Sequence, residues 1–346
     1  MDLKLKLFGC IALAIATITS ANVIPASAAD TYQVQQTWKL GGDGGWDYLK
    51  VDEPAHLLYI TRGNRVMVVD VQTGKLLDEI NGFQGVHGVA LDTTGKYGYI
   101  SDGSAGMVRV FDRTTRQVVA SVPVGQNPDA ILFEPTHKYV FAMNGRSKDA
   151  SVVDAATNKV IATIPLPGKP EFAATDGKGN VFVNIQDKNE LQRIDANSLK
   201  VTATWPLAPC ESPSGLAIDR ASHRLFSVCD GKVMAVTNAE TGKVVATPAI
   251  GDGPDAAGFD SQRKLAFSSN GEGNLTILHQ DSPDQYSLVQ TVNTKRGTRT
   301  MALDESTGKV YLVTGDFGPR PNPTADNPRP RPAILPGTFS VLVVGK

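Results

Sequence analysis

The 346-residue chain is 41% apolar and 20% charged, enough to bury a sizeable core, which excludes a disordered polymer and a disulfide-stapled miniprotein. Thirty-four Lys and Arg against 35 Asp and Glu leave a formal charge of -1. The basic surface of a nucleic-acid or acidic-membrane binder is therefore missing, and nucleic acid is not an expected partner. Thirty-three Gly and 21 Pro disfavour a helix-dominated chain and demand many turns.

Residues 1–28 read as a secretory signal peptide: Lys4 and Lys6 precede an apolar run from Leu7 through Ile18, followed by the small-residue site Ala26-Ser27-Ala28. Thr17, Thr19 and Ser20 interrupt the run, and no later segment approaches the roughly 18 apolar residues of a membrane span. Cleavage after Ala28 predicts a periplasmic or secreted mature chain without a transmembrane segment. Residues 29–346 are then expected to form one domain.

Residues 32–40 look like a lone strand preceding a set of repeats. Seven related segments follow, at residues 45–52, 85–92, 127–134, 169–176, 212–219, 253–260 and 297–304, each closing on an acidic residue. These anchors, Asp52, Asp92, Glu134, Asp176, Asp219, Asp260 and Asp304, recur every 40 to 44 residues. That is the period of a propeller blade. Within a copy, the first strand leads through a turn such as Thr93-Thr94-Gly95-Lys96 to a second at residues 97–100. A third follows at residues 107–111, then a turn at residues 112–116 and a fourth strand at residues 117–122. The pattern predicts an all-β, seven-bladed β-propeller with four-stranded antiparallel blades. The last copy supplies only three strands, so residues 32–40 are expected to complete it and close the ring. Before its final strand, residues 317–337 carry seven prolines and form either a rim of the channel mouth or a semi-rigid surface insertion.

The repeat grammar, and especially turns such as Asp70-Val71-Gln72-Thr73-Gly74-Lys75, resembles the YVTN-type, YncE-like seven-bladed propeller family over residues 32–346. The resemblance implies a periplasmic location and binding of a ligand, nucleic acid or partner; near-neutral charge speaks against nucleic acid. Propellers more broadly include lyases and lactonases.

Antiparallel order brings the start of each inner strand to one channel mouth beside the turn between the second and third strands. The candidate ligand-binding residues there are Asp47, Arg62, His87, Asp129, Asn144, Arg146, Glu171, Asp255, Asn270 and Arg299, with Ser214 nearby. No motif specifies a cofactor; a divalent metal is the candidate, with Asp47, His87, Asp129, Glu171 and Asp255 as possible ligands and His87, Asp129 and Asp255 foremost, the imidazole favouring a transition metal over calcium. On the alternative reading the aspartates only cap turns or bind water. If Arg62, Arg146 and Arg299 turn into the mouth, they suit a carboxylate.

His56, His137 and His223 fall in turns on the opposite face, and His279 follows a third strand, so a compact histidine metal site is disfavoured. His-Glu-x-x-His, G-x-S-x-G and phosphate-loop motifs are absent from the sequence. Cys210 and Cys229 flank the first two strands of blade five, and antiparallel pairing in an oxidising compartment predicts a disulfide. The leading functional expectation is noncatalytic recognition of a small polar ligand, a cell-envelope component or a protein at the mouth. The alternative is a metal-dependent lyase or lactonase.

Overall fold

The structure, a computed structural model, describes residues 1–2, 31–324, 330 and 332–346. The expected signal segment beyond Asp2 lies outside the described residues, as do residues 325–329 and 331 of the proline-rich insertion. The described strands form seven four-stranded antiparallel sheets. In each, short β-branched and aromatic runs favour the pleated geometry and Gly, Asn or Asp reverse the chain. In blade two, for example, the strands are Val86–Leu91, Tyr97–Asp102, Met107–Asp112 and Val118–Pro123.

Every inner strand packs beside the inner strand of the next blade, and that of blade seven (Met301–Asp304) packs beside that of blade one (Leu49–Asp52). The circle is thereby closed. Blade seven runs outward through Lys309–Thr314 and Ser340–Gly345, and its outer strand is Gln33–Lys39 from the amino-terminal end. Their antiparallel register runs from Gln33 opposite Gly345 to Lys39 opposite Ser340. The expected closure is confirmed.

The core is divided among the junctions between blades. Seven apolar clusters are found among the described residues; six each draw on two consecutive blades, as where Tyr59, Val68 and Phe83 meet Val89, Ile100 and Phe111, and the seventh adds Tyr48 of blade one to the junction of blades three and four. Second and third strands are buried because both their faces meet neighbours; Val118 and Val119 of an outer strand are exposed.

The acidic anchors of the repeats serve the turns. Glu134 accepts hydrogen bonds from the backbone N–H groups of Thr136 and His137, Asp260 from Gln262 and Arg263, and Asp304 from Ser306 and Thr307. Asp70, Asp112, Asp154 and Asp195 cap the turns before the outer strands in the same way. The repeat signal is thus mostly turn chemistry.

Cys210 and Cys229 form the expected disulfide. It ties the segment entering blade five to the end of that blade's second strand, Arg224–Cys229. With 19 residues of separation, the Cys210→Ser/Cys229→Ser double variant is expected to lose about 3 kcal/mol through restored freedom of the unfolded chain. The urea midpoint of the oxidised protein, compared with that of the variant, checks this; equal midpoints would refute it.

Candidate functional site

Three inner strands begin side by side at one end of the channel and carry Asp47, His87 and Asp129 from blades one, two and three. One candidate ligand atom from each lies within 4.8 Å of the others. His87 Nδ1 is 2.6 Å from Asp47 Oδ2 and 3.7 Å from Asp129 Oδ1. The first distance is a hydrogen bond and the second only an ion-pair approach. Asp129 Oδ1 is therefore a buried acceptor without a hydrogen-bond partner, an arrangement that native structures rarely leave unexplained.

Buried polar residues of the second strands hold these residues in place. Thr61 Oγ1 donates to the His87 carbonyl at 2.9 Å, and Ser101 Oγ to the Asp129 carbonyl at 2.6 Å. Ser269 Oγ does the same for the Arg299 carbonyl, and Asn184 Nδ2 donates to the Ser214 carbonyl. Each links one blade to the mouth residue of the next. Gly103 completes the seat of His87: a Cβ there would come within 2.5 Å of the imidazole ring. The signal in the sequence is a polar residue near the end of an apolar second strand, as in Leu57–Arg62 and Tyr97–Asp102, which pattern reading assigns to the strand itself.

Across the mouth, Asp255 accepts from Ser214 Oγ at 3.0 Å and pairs with Arg299, Nε to Oδ2, at 3.3 Å. Glu171 pairs with Lys169, which also donates to Gln186 Oε1 at 3.0 Å. The Tyr48 hydroxyl lies 3.5 Å from Glu171. Lys169 and Tyr48 were not among the expected site residues, because Lys169 precedes its strand and Tyr48 reads as an apolar strand position.

Four carboxylates around one narrow opening resist simultaneous ionisation. Burial, then the Asp47 carboxylate, pushes Asp129 up to about 7, with His87 pulling the other way. Burial pushes Asp255 up to about 6 against the influence of Arg299. Burial disfavours the charged imidazole of His87, yet the hydrogen bond it donates to Asp47 and the charge of Asp129 outweigh it and hold its pKa above the ordinary value. Lys169 is likewise raised, its burial overcome by Glu171.

The mouth thus gathers Asp47, His87, Asp129, Glu171, Asp255 and Arg299. The compact triad takes Asp47, His87 and Asp129 from the five expected ligand candidates, with Asp47 in the place that the foremost three gave to Asp255. Asp47, His87 and Asp129 come from adjacent blades, whereas Asp255 comes from blade six and turns to Arg299 of blade seven. Other expected ligand residues serve the scaffold. Arg62 is fully buried, stacks on Phe339 at 3.8 Å and donates to the carbonyls of Gly41, Asp43 and Gly44. Asn144 is spent on Asp149 and Ser151, and Asn270 on Asn274, Thr276 and Ser268. Arg146 is exposed. Away from the mouth, His137 pairs with Glu134, His223 with Glu240 and His279 with Asp281.

The described ends of the proline-rich insertion pair with each other, Phe317 opposite Ile334. Phe317 also packs near Trp46, with ring centroids 6.2 Å apart. This part of the insertion forms a rim at the mouth end. Among the described residues no helix is long and apolar enough to cross a membrane.

No family model matches the chain, and no curated protein does. Among solved structures it is similar to Kuenenia stuttgartiensis hydrazine synthase, with a TM-score of 0.69, 18% identity and coverage of 78% of this chain and 92% of that one. It is also similar to U3-55K, with a TM-score of 0.74, 11% identity and coverage of 91% and 98%. The WD40 repeats of RRP9 give a TM-score of 0.74, 10% identity and coverage of 92% and 98%. At these identities the likeness is one of fold: the chain is a seven-bladed propeller whose mouth carries a side-chain cluster able to hold a metal ion.

Proposed function

We propose that the protein is an exported, metal-dependent hydrolase or lyase acting on a small polar carbonyl compound at the channel mouth, with Asp47, His87 and Asp129 as the metal ligands. The observation that carries this reading is the convergence of those three groups around an otherwise unpartnered Asp129 oxygen. One imidazole with two carboxylates suits a first-row transition ion such as Mn²⁺ or Zn²⁺ better than calcium. Such an ion supplies Lewis-acid polarisation of a substrate oxygen. The expectation of purely noncatalytic recognition gives way because the mouth is more than a polar ring: it concentrates carboxylates whose crowding a cation would relieve.

The remaining residues have separate roles. Asp255 stands outside the triad with a pKa raised to about 6, suited to holding or moving a proton near neutral pH. Arg299 and Lys169 orient an anionic portion of the substrate. Export follows from the reading of residues 1–28, and membership of the YVTN-type, YncE-like family from the turn grammar.

Titrating the metal-free protein with Mn²⁺, Zn²⁺ and Co²⁺ by calorimetry tests the centre. One ion per chain is expected, with affinity falling about 100-fold or more in Asp129→Asn and His87→Ala. Turnover of a lactone and ester panel is expected to require the ion and to fall about 10²- to 10⁴-fold in Asp255→Asn. Wild-type protein that binds none of these ions would overturn the reading and return the mouth to recognition without catalysis.

A further inference from the structure

A cleft of about 750 Å³ opens beside the mouth, between the ends of blades six, seven and one. Its volume is that of a site for a small organic molecule. One wall is apolar and partly aromatic, made by Trp46, Phe317 and Ile334. Bare backbone keeps the space open: a Cβ on Gly45 would meet nothing within 4 Å, and one on Gly253 would meet only the Gly271 backbone, at 3.9 Å. Phe317 depends on another glycine, since a Cβ on Gly297 would come within 2.6 Å of its ring.

The charges of the cleft are not balanced. Lys295 is paired with Asp316 at 2.5 Å, and Arg299 with Asp255 at 3.3 Å. Arg296 and Arg320 also line the cleft, are exposed, and have no carboxylate partner among the described residues. Two guanidinium groups with no counter-ion among the described residues, beside an aromatic wall, call for a ligand that is flat and apolar at one end and anionic at the other. A bare inorganic anion would leave the wall unused. A neutral aromatic compound would leave both arginines unanswered.

We propose that this cleft is a second binding site, distinct from the Asp47, His87 and Asp129 centre, for a small aryl carboxylate or an organic anion of the same shape. The ring lies against Trp46 and Phe317, and the carboxylate takes Arg296 and Arg320. None of these four residues belongs to the metal triad, so the site does not depend on the metal reading.

Calorimetry and tryptophan fluorescence with 2-naphthoate, and with 2-naphthamide as its neutral counterpart, test the proposal. Saturable one-to-one binding of 2-naphthoate is expected in the micromolar to low millimolar range, with the amide about tenfold weaker. Arg296→Gln/Arg320→Gln should bring the two probes to similar affinity, and Phe317→Ala should weaken both about tenfold. His87→Ala/Asp129→Asn should leave 2-naphthoate binding unchanged, which separates this site from the metal centre. Equal wild-type affinity for the two probes would overturn the proposal. So would retention of the preference by the double arginine variant with native circular dichroism, or loss of binding in the His87→Ala/Asp129→Asn variant.

Discussion

Replacing Trp38 with alanine is expected to destabilise the propeller by about 3–5 kcal/mol, as for other buried aromatic truncations. Trp38 lies in the outer strand of blade seven, is 8% exposed and packs on Tyr311 with ring centroids 5.5 Å apart. It also reaches the turn of blade one, where a Cβ on Gly74 would come within 2.5 Å of the indole. One side chain therefore fastens the strand that closes the ring to the next blade. Trp205 makes the same contact with Gly242, between blades four and five, but joins blades that are already covalently consecutive. Deleting residues 31–39 should have a larger effect, because the strand Ser340–Gly345 then becomes an uncovered edge. Loss of cooperative urea unfolding and concentration-dependent self-association are the expected readouts. A cycle with Gly74→Ala should be strongly non-additive, since removing the indole relieves the clash that the new methyl creates, although the positive φ of +70° remains unfavourable. Additive effects would show that the latch is not a unit.

The metal-free protein is expected to lose stability as pH rises from about 4 to 8, with Asp129 accounting for on the order of 2–4 kcal/mol. Asp129 and Asp255 are pushed up to about 7 and about 6 in the folded protein, whereas unfolded aspartate titrates near 3.9. Between those values the folded state holds more protons, so stability is full below the unfolded pKa and is lost as pH rises through the folded one. His87, raised by Asp47 and Asp129 against the effect of burial, acts in the same direction above its ordinary value. Asp70 and Asp195 act oppositely. The backbone N–H groups of Thr73 and Asn197 lower their pKa values, so their contribution is lost as pH falls toward and below about 4. A maximum near pH 4 follows for protein in EDTA. A divalent ion at about 100 times its Kd should restore about 2.7 kcal/mol at pH 8, and much less at pH 5, where protons compete for the ligands. Asp129→Asn should flatten the fall and abolish most of the metal response. Melting curves across this range decide the matter: a pH-independent Tm in EDTA would show that the carboxylates are not in conflict.

Blade number, strand order and ring closure were legible in the sequence because they rest on local chemistry repeated seven times. An acidic residue that accepts neighbouring backbone N–H groups serves the turn in every copy, and short β-branched and aromatic runs make the same strands. The pairing of Cys210 with Cys229 followed from the antiparallel neighbourhood of two strands. The site was legible only in part. Asp47, His87, Asp129, Glu171, Asp255 and Arg299 were placed at one mouth by topology alone. Arg62, Asn144 and Asn270, which topology placed there too, turn instead to the scaffold, satisfying carbonyls and polar neighbours that would otherwise be buried unpaired.

The sequence by itself determined which residues begin each inner strand and hence which end of the channel they share. Only the tertiary structure decided that Asp47 rather than Asp255 joins His87 and Asp129, that Asp255 takes Arg299, and that Thr61, Ser101 and Ser269 pin the mouth from the preceding blade. The physical reason is that turn and strand formation act over a few residues, whereas ligand geometry and pKa shifts arise from side chains about 40 residues apart whose conflict exists only once the ring has closed.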